Sequence, residues 1–168
     1  MALDTLNDVF ADQIEDLYSA ETQLVAALPK IAAAASNATL REAIERHLDE
    51  TRGHVERLSN IKSDLGINAP QSCKGMAGLI AEGDETVEEF GGGPAKDAAI
   101  IAAAQRVEHY EIAAYGTART LADELGYDDA KDLLGETLEE ESAADGLLTK
   151  IATGGIFRSG VNAAANAG

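Results

Sequence analysis

Five glutamates stand where helical periodicity calls for hydrophobes: Glu21, Glu50, Glu108, Glu111 and Glu141, spread over four amphipathic segments, with His54 and Asp145 one turn beyond two of them. A carboxylate on the buried stripe of a helix costs on the order of several kcal/mol unless a cation or a proton neutralises it, and converging carboxylates also repel one another. Four helices that break the same rule at similar depth point to a metal.

Glu21 is flanked one turn away by Leu17, Leu24 and Val25, so it belongs to an apolar stripe. Glu50 and His54 are four positions apart and share a face with Leu58. Glu108 and Glu111 are three apart in an Ala-rich helix, so both can point to one centre. In the run Glu139-Glu140-Glu141 only one side chain can face the core, and extending Leu134, Leu138 and Leu148 puts Glu141 and Asp145 there, with Glu139 in solvent. Glu21 and Glu108 can also be read as boundary or surface carboxylates, the weaker reading for each, and for the Glu139–Glu141 run alone that reading would win; the coincidence over four helices favours ligation. Oxygen-rich ligation with one imidazole suits two iron or manganese ions about 3.5 to 4 Å apart, bridged by carboxylates such as Glu50 and Glu141, with zinc an adventitious fit. His47 is open to two readings, a residue that orients a ligand or a polar core residue. Tyr18 is placed to hydrogen-bond a ligand from the inner face.

The remaining composition narrows the partners. Thirty acidic against 13 basic residues give a formal charge of −17, which repels a nucleic-acid backbone or an anionic membrane and favours metal cations. No nucleic acid and no membrane partner is expected; the longest apolar run, Ala98 to Ala104, is far too short to span a bilayer. A single cysteine, Cys73, excludes an internal disulfide, and the Met1-Ala2-Leu3-Asp4 start lacks the basic and apolar regions of a secretory signal, so the expected compartment is cytoplasmic. Gly91-Gly92-Gly93 lacks the strand and lysine of a phosphate loop, and no Ser elbow or Cys cluster is present.

Elements that could position the carboxylates follow from the same periodicity. Few aromatics, no Trp and abundant Ala favour helices over strands, so the fold class is all-α. The spacing predicts helix A over about Thr5 to Ala35, with Pro29 inside it, and helix B from Asn37 or Thr39 as N-cap to about Leu65, closed by Gly66. A crossover from Gly66 to Pro94 carries a short helix around Met76 to Phe90. Helix C spans about Ala95 to Leu125 with Ile100, Ala104, Val107, Ala114, Ala118 and Leu121 inward. Helix D follows from a cap at Asp128 or Asp129 to Gly154. Residues 1–153 form one domain, and residues 154–168, poor in apolar bulk, form a disordered tail. Two short-looped helix pairs joined by one long crossover describe a ferritin-like four-helix bundle. The halves also repeat: Glu21 superposes on Glu111, and Glu50 falls within one position of Glu140 and Glu141.

The segments Asp16-Leu17-Tyr18-Ser19-Ala20-Glu21-Thr22-Gln23-Leu24, Ala27-Leu28-Pro29-Lys30, His47-Leu48-Asp49-Glu50-Thr51, Ala104-Gln105-Arg106-Val107-Glu108-His109-Tyr110-Glu111 and Glu136-Thr137-Leu138-Glu139-Glu140-Glu141 resemble the YciE/YciF family of bacterial stress proteins. The likeness runs from about Leu6 to Ala152. It implies a dimeric ferritin-like bundle related to rubrerythrins, tied to general stress responses and carrying a di-metal site, with Glu21, Glu50, Glu108, Glu111 and Glu141 matching the carboxylates of such a site. Where rubrerythrin-like proteins place a His three residues after the helix B and helix D glutamates, this chain has Gly53 and Ala144. His54 and Asp145 substitute by a small rotation, which leaves a site poorer in nitrogen and weighs against peroxidase chemistry. Two functions are therefore expected to compete: a di-metal carboxylate protein handling iron or manganese with oxygen or peroxide during stress, and a non-catalytic homodimeric stress protein acting through protein contacts. Iron storage in a cage has no support in the sequence.

Overall fold

The computed structural model describes residues 4–68, 70–155 and 158–167. Four long helices make the bundle: α1 (Leu6–Ala34), α2 (Ala38–Leu65), α4 (Gly93–Leu125) and α5 (Asp128–Thr153), with α3 (Lys74–Glu89) in the crossover. The four long ones have 29, 28, 33 and 26 residues. At 1.5 Å per residue each runs for roughly 40 Å or more, enough for two apolar layers with a third between them. No helix among the described residues is long and apolar enough to cross a membrane.

Local chemistry sets the helix ends. Thr5 and Asp8 close a capping box at the start of α1, and the Asn37 side chain accepts the Leu40 N–H at the start of α2. Gly66 and Gly126 end α2 and α4 in the left-handed conformation, φ 66° and 72°, which other residues adopt only at a cost. The N-cap of α5 is Tyr127 rather than Asp128 or Asp129, and those two aspartates lie in the first turn, where they complement the helix dipole. Pro29 sits inside α1 without ending it.

Contacts fix the pairing. Tyr115 of α4 meets Glu21 of α1, Arg57 of α2 meets Glu136 and Glu140 of α5, and both short turns make hairpins, so every neighbouring pair runs antiparallel. Helix α2 must then be followed by a crossover that travels the length of the bundle, and α3 does so, packed against α1 and α4. Buried Asp97 of α4 accepts the backbone N–H groups of Ser36 and Asn37 at 2.7 and 2.9 Å and ties the α1–α2 turn to the start of α4.

Apolar side chains fill both ends of the interior. Phe10, Ile14, Leu17, Leu58, Ile61 and Leu134 pack at one end. Leu40, Ile44, Ile100, Ile101, Leu148 and Ala152 pack at the other, joined by Val161. Val161 belongs to a segment expected to be disordered. After a two-residue antiparallel pairing of β1 (Gly154–Gly155) with β2 (Arg158–Ser159), helix α6 (Val161–Asn166) docks on α4 and α5. Composition gives little sign of this because one valine supplies the contact; Gly160 permits it, since a Cβ there would collide with the backbone of Ala152, Thr153 and Gly154.

Candidate metal centre

Between the two apolar layers the interior turns ionic. Glu21 from α1, His47 and His54 from α2, Glu108 and Glu111 from α4 and Glu141 from α5 are all buried, none more than 7% exposed. Their ligand atoms form two overlapping groups. His47, Glu108, Glu111 and Glu141 make one, and Glu21, His54 and Glu141 the other, the atoms in each lying within 4.8 Å of one another. Glu141 is shared. Its Oε1 lies 3.0 Å from His54 Nδ1 and its Oε2 3.9 Å from His47 Nε2.

The convergence follows from one register per helix. On α2 the buried line runs Leu40, Ile44, His47, Thr51, His54, Leu58, so the two imidazoles lie seven residues, nearly two turns, apart on one face. On α4 it runs Ile100, Ile101, Glu108, Glu111, Tyr115, Ala118, Ala122, with Val107, Ala114 and Leu121 half-buried beside it. Of the apolar line expected inward, Ile100 and Ala118 are buried and Ala104, Val107, Ala114 and Leu121 half-buried, so the face is centred toward Glu108, Glu111 and Tyr115.

Nine buried nitrogen or oxygen atoms of these six residues lack a hydrogen-bond partner among the described residues: Glu21 Oε2, His47 Nδ1 and Nε2, His54 Nδ1, Glu108 Oε2 and both oxygens of Glu111 and of Glu141. Several sit at ion-pair distance without hydrogen-bond alignment, as His54 Nδ1 does 3.3 Å from Glu21 Oε1. Orphaned buried polar atoms are rare in folded proteins and costly. Most of them face one another across the two groups, as ligand atoms around a cation do, while His47 Nδ1 faces Glu50 at the edge.

Outer partners hold the ligands. Arg57 donates from both terminal nitrogens to Glu140, Nη2 to Oε1 at 3.0 Å, and also reaches Glu136 at 2.7 Å. Glu140 Oε2 in turn lies 2.9 Å from His54 Nε2. With Nε2–H donating to this carboxylate, Nδ1 is turned toward Glu21 and Glu141, the carboxylate–histidine arrangement that orients metal-binding imidazoles once Nδ1 has given up its proton. Tyr115 donates its hydroxyl to Glu21 Oε1 at 2.5 Å. Thr51 turns its hydroxyl to the His47 carbonyl at 2.8 Å and adds no ligand.

Burial and mutual repulsion shift the protonation of these groups. Burial first, then repulsion by Glu141, Glu21 and Glu108, pushes the Glu111 carboxyl well above the usual range. Burial likewise raises Glu108, partly opposed by His47, and raises Glu21, opposed by His54. Burial works against a charged His47, but Glu50, Glu108, Glu141 and Glu21 outweigh it and bring its pKa to about 9. His54 is similarly brought to about 10 by Glu141 and Glu21 against its burial. Glu141 alone of the four carboxyls is lowered: burial would raise it, and the two imidazoles overcome that.

Of the seven residues expected at the centre, Glu21, His54, Glu108, Glu111 and Glu141 are brought together, while Glu50 and Asp145 are in neither group. Glu50 precedes the inward Thr51 by one residue and sits at the edge, its side chain 34% exposed, 3.7 Å from His47 Nδ1 and 3.8 Å from Arg46. It stands at the mouth of a crevice of about 40 Å³ that leads between α2 and α5 to His47 and Glu108. Asp145 is turned toward α4, where it accepts from Gln105 at 2.9 Å and faces His109 at 3.4 Å. Tyr18 is also absent from the centre; its ring lies 4.1 Å from Lys62 Nζ. Sequence reasoning left His47 undecided and missed Tyr115, Glu140 and Arg57. Its available signals were His47 seven before His54 and Tyr115 four after Glu111.

Residues 5–165 match the profile of a family described as a domain of unknown function, DUF892. Protein YciF of Escherichia coli (strain K12) is 47% identical over 167 residues, covering 98% of this chain and all (100%) of that protein. The crystal structure of the E. coli stress protein YciF superposes with a TM-score of 0.83 at 50% identity, covering 88% of this chain and 94% of that one. YcfI from Rhodopseudomonas palustris superposes with a TM-score of 0.86 at 42% identity, covering 89% and 96%.

Proposed function

The chain belongs to the YciE/YciF family, DUF892, and from that premise we propose that it is a stress protein whose bundle core holds two iron or manganese ions and handles them with dioxygen or peroxide. The observation that carries this reading is the set of donors: four buried carboxylates and two imidazoles in two groups that share Glu141. Ionised, the four carboxylates bring −4, and two divalent cations bring +4, so the pair would neutralise the core with both imidazoles uncharged. One cation would leave two negative charges buried. The nitrogen shortage expected from Gly53 and Ala144 is made good by His47.

His47, Glu108, Glu111 and Glu141 would hold one ion, and Glu21, His54 and Glu141 the other. Iron or manganese bound there would supply redox chemistry and polarise a small oxygen ligand. The protein's own part is positional. Arg57 and Glu140 fix the His54 ring, Tyr115 keeps Glu21 pointed inward, and the apolar layers on either side exclude water. Glu50, half in solvent at the mouth of its crevice, is placed to pass cations to His47.

Metal analysis of protein loaded under anaerobic conditions with Fe²⁺ or Mn²⁺ tests the reading. About two ions per chain, falling to one or none in Glu141→Ala, is the expected result. A protein that stays empty would leave the family's stress role to protein contacts instead. We also propose a homodimer in the cytoplasm: Leu6, Val9 and Leu65 are exposed at one end of the bundle, where a second copy could cover them, and Cys73 is unpaired and buried. Light scattering that gives a monomer at micromolar concentration would remove the dimer.

A further inference from the structure

A second crevice reaches the same two residues from the opposite side of α1. It lies between α1, α3 and α4, has a free volume of about 50 Å³ and ends on His47 and Glu108, the only polar residues among its walls. Leu24, Leu28, Ile31, Leu79, Ile80 and Val107 line it, most of them half-buried, so it opens toward solvent along the seam of α3.

Gly83 forms part of that wall. A glycine inside a helix costs about 1 kcal/mol relative to Ala, so it needs a reason. Gly75 on the same helix has one: a Cβ there would come within 2.9 Å of the Tyr110 ring. Gly83 is different, because a Cβ would find only Ile31 Cδ1 at 3.9 Å, an ordinary contact. Packing does not require glycine at this position, and what its missing side chain leaves is room in the crevice.

Walls of this kind select their occupant. A polar molecule such as water or hydrogen peroxide would lose hydrogen bonds that leucine, isoleucine and valine side chains cannot replace. An apolar molecule loses nothing. A cavity of about 150 Å³ holds benzene or xenon, so about 50 Å³ suits a small apolar gas molecule and is too small for a ring-sized organic substrate. We propose that the Gly83 crevice is a binding site for dioxygen, delivered to the His47–Glu108 side of the centre. The other crevice is walled largely by apolar side chains as well and differs in carrying the Arg46–Glu50 pair, 3.8 Å apart, beside His47. The choice of dioxygen as occupant rests on the metal reading above; the apolar gas site does not.

Xenon tests the site without any metal. Metal-free protein under xenon pressure should show xenon beside Ile31 and Gly83, by crystallography or by a concentration-dependent ¹²⁹Xe shift, and Gly83→Leu should abolish it. Gly83→Ala, a change that favours the helix, controls for folding and should retain the bundle. Absence of xenon from the wild-type crevice, or xenon undisturbed by Gly83→Leu, overturns the proposal. In protein loaded with Fe²⁺, Gly83→Leu should slow oxidation by dioxygen at least about tenfold while oxidation by hydrogen peroxide changes less than about twofold. Equal slowing of both also overturns it. Metal loading without xenon binding would remove the crevice alone, whereas xenon binding in a chain that takes no metal would remove the metal reading and the assignment to dioxygen with it.

Discussion

Replacing Glu111 by leucine should have opposite effects on the empty and the loaded protein. The Glu111 carboxyl is fully buried, neither oxygen has a hydrogen-bond partner among the described residues, and burial with three neighbouring carboxylates holds its pKa well above the usual range. Each unit of such a shift corresponds to about 1.4 kcal/mol. Removal of an uncompensated buried ionisable group in favour of an apolar one of similar volume stabilises by about 1–4 kcal/mol. For a chain of this length about 1 kcal/mol moves the melting midpoint by about 2–4 °C, so Glu111→Leu without metal should melt roughly 2–16 °C higher than the parent at pH 7. With metal at about 100 times its Kd the parent gains about 2.7 kcal/mol, and the variant, short of one ligand, should gain little of it. Differential scanning calorimetry with chelator and then with Mn²⁺ reads both. A variant that melts lower without metal, or that keeps the full Mn²⁺ shift, would refute the reasoning.

Three further outcomes follow from the same groups. Because the folded pKa values of His47 and His54, about 9 and about 10, lie above the ordinary 6.5, their protonation stabilises the metal-free chain fully below about 6.5 and is lost as pH rises through 9 and 10; the raised Glu108 and Glu111 act in the same direction. The metal-free melting midpoint should therefore fall between pH 7 and 10.5, whereas the loaded protein, whose ligands carry no protons, should change far less, and loading at pH 7 in weak buffer should release at least about two protons. Arg57→Ala frees Glu140, and with it the His54 ring, and should weaken Mn²⁺ binding by about 10–100-fold in a competition titration while the helix content by circular dichroism is retained. Glu50→Gln should slow Co²⁺ uptake, followed by its d–d absorption, at least about threefold with an unchanged final stoichiometry; a lower stoichiometry would make Glu50 a ligand.

Four helices, their short-turn pairing and the long crossover were legible in the sequence because each rests on periodicity and on caps such as Thr5, Asn37, Gly66 and Gly126. So were the four inward carboxylates Glu21, Glu108, Glu111 and Glu141. What failed did so by one residue, which on a helix is a rotation of about 100°. Glu50 loses the interior to Thr51, and Asp145 turns toward Gln105 on α4. Val107 yields to Glu108 because the centre of α4's buried face is decided by the ligand cluster as well as by apolar bulk. The outer partners were out of reach for another reason. Arg57 and Glu140 are 83 residues apart, and Asp97 holds an N–H 61 residues away, so only the packing of helices reveals them. The short helix α6 was not legible because its seat rests on a single buried valine, Val161, beside Gly160.

Anomalous scattering at the manganese edge from crystals soaked in Mn²⁺ tests the central claim most directly. The account predicts two peaks in each chain, one enclosed by His47, Glu108, Glu111 and Glu141 and the other by Glu21, His54 and Glu141. A single peak, or manganese confined to the acidic surface with the core empty, would contradict it.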